Sequence, residues 1–233
     1  MNVPVCVVVG AGPGNGAAFA RQFSRAGYKV ALLARSRETL DNLAADIAGT
    51  RAYAYDATDP RNVGAVFAAI RRDLGSPQTL IYNASSRDFG DIDATDAESF
   101  EAAWRVNAYG FLLAVKAVLP EMRAAGQGSI VAIGATASLK GAAGFVAFGA
   151  AKAAQRSLAQ SLARQLGPEG IHVAYAIIDA MVDMPSSRSM MPEAPDSFFA
   201  RPDDIAESVF FLARQPKSAW TFELDLRPFG ERW

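Results

Sequence analysis

The sequence predicts an α/β protein in which one parallel sheet carries helices on both faces, and three observations lead there. Val5 to Val9 is an apolar run without alternation, as in a strand buried on both sides, and it breaks into Gly10-Ala11-Gly12-Pro13-Gly14-Asn15-Gly16. Strand-like runs then alternate with stretches of helical spacing along the chain, which implies parallel strands joined by right-handed crossovers. With 233 residues, 51% of them hydrophobic, and a net charge of −1, the chain can bury one large core and shows no charge bias toward nucleic acid or a membrane surface.

The elements follow in order. After the glycines, Phe19 and Phe23 stand four apart and give the first helix an apolar stripe. Lys29 to Ala34 reads as the second strand, and Leu40, Leu43 and Ile47 mark the helix behind it. Tyr53 to Ala57 suggests a third strand, after which Asp59 caps a helix with Pro60 in its first turn and Val63, Val66, Phe67, Ile70 and Leu74 facing inward. Thr79 to Asn83 is the fourth strand. Thr95-Asp96-Ala97-Glu98 has capping-box spacing for a long helix that runs past Pro120 and stops near Gly126.

Ser129 to Gly134 forms the fifth strand, and the Gly- and Ala-rich Gly141 to Gly149 leads into a helix carrying Leu158, Leu162 and Leu166. His172 to Ile178 is the sixth strand. Pro185 to Phe199 has turn composition and interrupts the alternation, so the region of about 180–200 is read as a substrate loop whose Met190, Met191, Phe198 and Phe199 suit a mostly hydrophobic molecule. Arg201-Pro202-Asp203-Asp204 opens a last helix, and Trp220 to Leu226 offers the seventh strand. No apolar run approaches the ~20 residues that cross a bilayer, which sets the expectation of a cytoplasmic protein. The single cysteine, Cys6, is expected to be a buried, inert thiol.

The glycines at Gly10, Gly12, Gly14 and Gly16, with Asn15 among them, lie between a buried strand and a helix start. Missing side chains let backbone N–H groups approach an anion, and the helix N-terminus adds unpaired donors, so a dinucleotide pyrophosphate is the natural ligand. The spacing resembles the loop of the short-chain dehydrogenase/reductase family, and further positions carry that resemblance from Val5 to about Leu226. Asp56 matches the family's adenine-contacting acid, Asn83-Ala84-Ser85 its Asn-Ala-Gly stretch, Asn107 its helix asparagine and Lys152 its catalytic lysine. The resemblance implies a single Rossmann domain over residues 1–233, with Gly10, Gly12, Gly14, Asn15, Gly16, Arg35, Asp56, Asn83, Ala84, Lys152 and Val182 as cofactor contacts. It also implies a homodimer or homotetramer paired through the helices from Asp96 to Met122 and from Phe145 to Leu166, an expectation that sedimentation of a monomer at micromolar concentration would overturn.

Charge then selects the cofactor. An acid about 20 positions past the glycines would bind a ribose 2′-OH and repel a 2′-phosphate, but this chain places Arg35 there with Arg37 close by, which predicts NADP(H) over NAD(H).

The pattern breaks where the chemistry should lie. Counting back from Lys152, the places of the family's tyrosine and serine hold Phe148 and Ala135, so both substrate-facing hydroxyls are missing. Where the family usually has Pro-Gly after strand six, this chain has Asp179-Ala180, which sets a carboxylate near the nicotinamide position. Three readings stand: a reductase with Lys152, Asn107, Asp179, Phe148 and Ala135 at its centre; a cofactor-binding sensor or partner subunit without turnover; or a pocket for an unrelated ligand. In the first, either the substrate is an iminium that needs little proton supply, or the acid is Asp179, Asp183, Tyr109, Tyr175, Thr136, Ser138 or water. His172, the single histidine, starts a strand far from the cofactor end and is read as structural, and no cluster has metal-ligand spacing.

Overall fold

In the computed structural model, which describes residues 3–86 and 88–231, seven strands form one sheet. They are β1 (Val5–Val9), β2 (Lys29–Ala34), β3 (Thr50–Ala54), β4 (Pro77–Tyr82), β5 (Gly128–Ala135), β6 (Ile171–Ile178) and, after a small two-stranded pair of β7 (Met181–Val182) and β8 (Phe199–Ala200), β9 (Glu223–Leu226). The order is β3-β2-β1-β4-β5-β6-β9, and each of these pairings is parallel. The strand order reverses between β1 and β4, and a parallel sheet opens its ligand crevice at the C-terminal ends of the strands that flank such a switch.

Two apolar layers explain why β1 does not alternate. Val5, Val7 and Val9 face a core shared with α3 (Pro60–Asp73), α5 (Gly110–Ala125) and α6 (Val146–Leu166), where Phe67, Phe111 and Leu166 are buried. Cys6 and Val8 face the other core, with Phe19, Leu40 and Val209 of α1 (Asn15–Arg25), α2 (Arg37–Asp46) and α8 (Pro202–Ala213). Burial pushes the Cys6 thiol pKa well up, so it stays protonated and unreactive. Among the described residues no helix is long and apolar enough to cross a membrane.

Four local expectations need correction. The third strand begins three residues early, at Thr50: Val30 pairs with Thr50, and Asp56 leaves the sheet by accepting hydrogen bonds from the Thr58 amide and hydroxyl, both at 2.8 Å. The helix after the fourth strand is α4 (Ala97–Trp104), capped by Asp96 and not by Thr95. The Asp96 carboxylate accepts from the Ser99 amide at 2.7 Å, while the Thr95 hydroxyl donates back to Asp91 O at 2.7 Å. That helix does not run unbroken to Gly126, because Arg105–Tyr109 forms a π turn before α5. The region read as a loop contains α7 (Pro185–Met190) and β8. Arg188 orders it, forking onto Asp183 at 2.7 and 2.9 Å, reaching Asp196 at 2.7 Å and lying over the Phe199 ring at 4.1 Å.

The π turn has a partner for the backbone it disturbs. The Tyr82 hydroxyl donates to Val106 O at 2.5 Å, and Gly110 is needed beside it because a Cβ there would lie 2.5 Å from that hydroxyl oxygen. His172 is buried at the start of β6, with Nε2 at 2.9 Å from Thr221 O and its ring stacked on Trp220 at 4.8 Å; burial lowers its pKa and suits a neutral packing role.

Within β5, Gly134 leaves the space that the Tyr175 ring fills, since a Cβ there would lie 2.2 Å from Tyr175 Cε1. Gly134→Ala is therefore expected to destabilise the protein by about 1–3 kcal/mol, read as a lowered urea midpoint. Combining it with Tyr175→Ala should cost clearly less than the two single changes summed, and simple additivity would show that the ring is not what position 134 accommodates.

Candidate active site

The glycine turn is assembled by close backbone approach. Gly10 has φ 84°, and its amide and that of Ala11 both donate to Leu33 O, at 2.8 and 3.0 Å. A Cβ on Gly10 would sit 2.5 Å from the Ala84 amide nitrogen, and one on Gly16 would sit 2.5 Å from Gly10 O. Asn83 stitches the switch point, its Nδ2 donating to Gly10 O at 2.9 Å and its amide to Val9 O at 2.8 Å. Gly12 faces open space, α1 begins with no side-chain cap and no acid in its first turn, and the buried Oδ1 of Asn15 has no partner among the described residues. This cradle fits a pyrophosphate, with the Asn15 oxygen left for a hydroxyl or amide donor. Met184 roofs it: a Cβ on Gly14 would come within 2.7 Å of its Sδ.

Around the cradle, Arg35 is exposed at the end of β2 and forms no hydrogen bond or ion pair among the described residues, whereas Arg37 is engaged by Asp41 at 2.9 Å. Arg37 is thus not free to assist Arg35. Asp56 lies exposed on its own turn, its carboxyl held below the usual range mainly by the Thr58 amide, with smaller contributions from the Thr58 hydroxyl and the Arg35 charge. Val182 sits on β7, paired with Ala200 and packed on the second core.

At the other end of the crevice, Ala135 closes β5 and Phe148 stands in the first turn of α6, one turn before Lys152. Lys152 is only 3% exposed. Its Nζ donates to Ile133 O at 2.9 Å and Gln155 Oε1 at 3.1 Å, with the Phe148 centroid 5.9 Å away. Burial without a carboxylate partner pushes its pKa down to about 7. Asn107 sits in the π turn, fully buried; its Nδ2 donates to Ala103 O at 2.9 Å and Ser86 Oγ at 3.2 Å, and its Oδ1 accepts from Ser85 at 3.0 Å.

The six side chains considered as replacement acids are mostly committed elsewhere. Asp179 accepts from the Thr136 hydroxyl on one oxygen and faces Arg227 Nε at 3.4 Å on the other, so it and Thr136 form a closed polar tie across the ends of β5, β6 and β9. Asp183 is forked by Arg188, which holds its carboxyl below the usual range. Tyr175 is fully buried, and burial raises its pKa. Ser138 donates to Ala135 O at 2.7 Å, and Tyr109 stacks on the exposed Trp104 at 5.9 Å. The structure therefore brings Ala135, Phe148, Lys152, Thr136 and Asp179 to one end of the sheet, and among the described residues none of the six considered stands there as an uncommitted acid. Gln155, Arg227, Met184 and Phe89 belong to this region too. Sequence reasoning missed them because each is fixed by a contact between distant segments, and none lies in a motif.

Comparison with known proteins gives a consistent answer. The family described as short chain dehydrogenase matches residues 4–192. The 2-(R)-hydroxypropyl-CoM dehydrogenase of Xanthobacter autotrophicus is 33% identical, with 90% of each chain covered. The inactive 2-(S)-hydroxypropyl-CoM dehydrogenase 2 of the same organism is also 33% identical, over 83% of this chain and 90% of its own. Among solved structures, a metagenomic short-chain oxidoreductase in complex with NADP is 26% identical with a TM-score of 0.85, covering 98% of both chains.

The buried amine gives a test that needs no substrate. Lys152 has a pKa of about 7 in the fold against 10.5 unfolded, so between those values the unfolded chain carries a proton that the folded one has released. Stability should rise with pH across that window, by about 1.4 kcal/mol per pH unit at its steepest, and be lost as pH falls toward 7. In Lys152→Met this rise should vanish. Parallel stability curves for the two proteins between pH 7 and 10 would show that the amine stays charged in the fold.

Proposed function

The chain belongs to the short-chain dehydrogenase/reductase family of oxidoreductases, and from that premise we propose that it is an NADP(H)-dependent reductase of a small, mostly hydrophobic iminium, an imine entering only as its protonated, iminium form. The observation that carries this reading is the apolar pair Phe148 and Ala135 beside a lysine whose amine is turned into the protein. When bound, NADPH supplies a hydride. An iminium carbon that accepts it leaves the electron pair on nitrogen and needs no proton, whereas a ketone leaves an alkoxide that does. Absence of a positioned acid costs a ketone about 10²–10⁴-fold and an iminium little.

The chain's own residues divide the remaining tasks. Gly10, Gly12, Gly14 and Gly16 would hold the pyrophosphate, with Asn15 left to bind a hydroxyl or amide of the cofactor. Arg35 would hold the 2′-phosphate and Asp56 the adenine, with Asn83, Ala84 and Val182 along the crevice. Asn107 holds the α4–α5 junction against the loop after β4, Lys152 fixes the floor through Ile133 O, and Phe148 and Ala135 exclude water from the reacting carbon. Asp179, tied to Thr136 and beside Arg227, closes the margin of the pocket and donates no proton to the substrate.

A second reading has its own support. Loss of both hydroxyls also suits a cofactor-binding member without turnover, acting as a sensor or partner subunit, and a relative at 33% identity is named inactive.

Two measurements test these readings. Arg35→Asp should weaken NADPH binding at least about tenfold relative to NADH by equilibrium titration, as expected for a charge-assisted fork to a phosphate; an unchanged ratio would remove the case for NADP. In single-turnover experiments with protein in excess, a preformed cyclic iminium should oxidise NADPH while the matching ketone reacts about 10²–10⁴ times more slowly. Equal rates would require a proton donor that this reading denies, and no reaction with either despite tight NADPH binding would favour the second reading.

A further inference from the structure

Phe89, Phe145 and Phe148 form a triangle of phenyl rings that meet edge to face. The centroid of Phe89 is 5.2 Å from each of the other two, which are 6.1 Å apart. Phe89 comes from the segment after β4, and its partners from the start of α6. Two backbone hydrogen bonds strap these segments together, from the Gly90 amide to Gly144 O at 2.9 Å and from the Val146 amide to Gly90 O at 3.1 Å. The strap fixes the rings, yet Phe89 remains 58% exposed and Phe145 38% exposed. Phe148 ties the triangle to the reacting pocket, because its other neighbour is the Lys152 amine.

From this geometry, and resting on the reductase reading, we infer that Phe89 and Phe145 are specificity-determining residues that hold an aromatic ring of the substrate beside the carbon that is reduced. The substrate class is thereby an aryl-substituted iminium, including an imine protonated before it binds. Ring faces are electron-rich and ring edges electron-poor, so a fourth ring extends the edge-to-face pattern already built by three, at the same separations. A saturated ring of similar size gains comparable burial but lacks that electrostatic match. The Lys152 amine and the other two phenyl rings all neighbour Phe148, and the exposed parts of Phe89 and Phe145 are where a fourth ring can join them.

The test uses equilibrium binding of 1-phenylethylamine and 1-cyclohexylethylamine, reduced product-like amines that cannot react with NADPH, measured by calorimetry on the protein with and without NADPH. The phenyl compound should bind about threefold to tenfold more tightly. Phe89→Leu keeps an apolar side chain on an exposed segment but removes the ring, and should bring that ratio below about twofold while the cyclohexyl compound still binds. Equal affinities in the unaltered protein, or a preference that survives Phe89→Leu, would overturn the inference. Because the ratio is read with and without cofactor, and NADPH affinity is titrated separately, failure of the ring preference is distinguishable from failure of the reductase reading.

Discussion

The structure depends on how closely two backbones pass where β1 and β4 end. Gly10 lies against the Ala84 amide with no room for a side chain, and Asn83 closes the same gap by donating its side-chain Nδ2 to Gly10 O. With that contact made, β1 and β4 pair, the glycine turn is aimed outward, and α1 starts with an uncapped first turn at the crevice mouth. Everything that can bind a dinucleotide is positioned from there. The two apolar layers then pack the sheet between its helices, and β5 and β6 carry Ala135 and Asp179 to the same end of it.

The end of the sheet around Lys152 is built by desolvation. Phe148 covers the Lys152 amine, and the amine answers with two carbonyl acceptors in place of a charged partner. A charge there would be expensive, and the lowered pKa is how the site avoids it. A carboxylate nearby is handled the opposite way: the Arg188 fork on Asp183 holds its carboxyl below the usual range, while Asp179 lies beside Arg227. The pocket thus separates neutral, apolar ground around Phe148 from fixed charge at its margin.

Much of this was legible in the sequence, and the reasons for the exceptions are physical. Val5 to Val9 announced a doubly buried strand because both neighbouring layers exclude water, and Asp59-Pro60 announced a helix start because capping is local chemistry. The third strand was misplaced because it is an edge strand whose first residues, Thr50 and Arg51, are polar and partly exposed; pairing with β2 decides its limits, and periodicity does not see that. Arg188 could not be foreseen as the organiser of its segment, since its partners Asp183, Asp196 and Phe199 converge only after folding. Phe148, Ala135 and Lys152 were singled out through the family resemblance, and the structure brings them to one end of the sheet. The commitment of Asp179 to Thr136 and Arg227 was invisible, because it joins the ends of three strands far apart in the chain.

The π turn at Arg105–Tyr109 bears on how this chain can evolve. It is one residue wider than an α turn, and Gly110 donates back to Arg105 across it. Removing that extra residue would restore a regular helix but rotate all of α5 by about 100°, carrying Phe111, Ala114, Val115 and Val118 off the sheet they pack against. The chain's register through α5 is therefore locked to the wide turn: shortening it by one residue would unseat the helix and with it Asn107, which the turn carries in its buried position, whereas point substitutions leave that register intact.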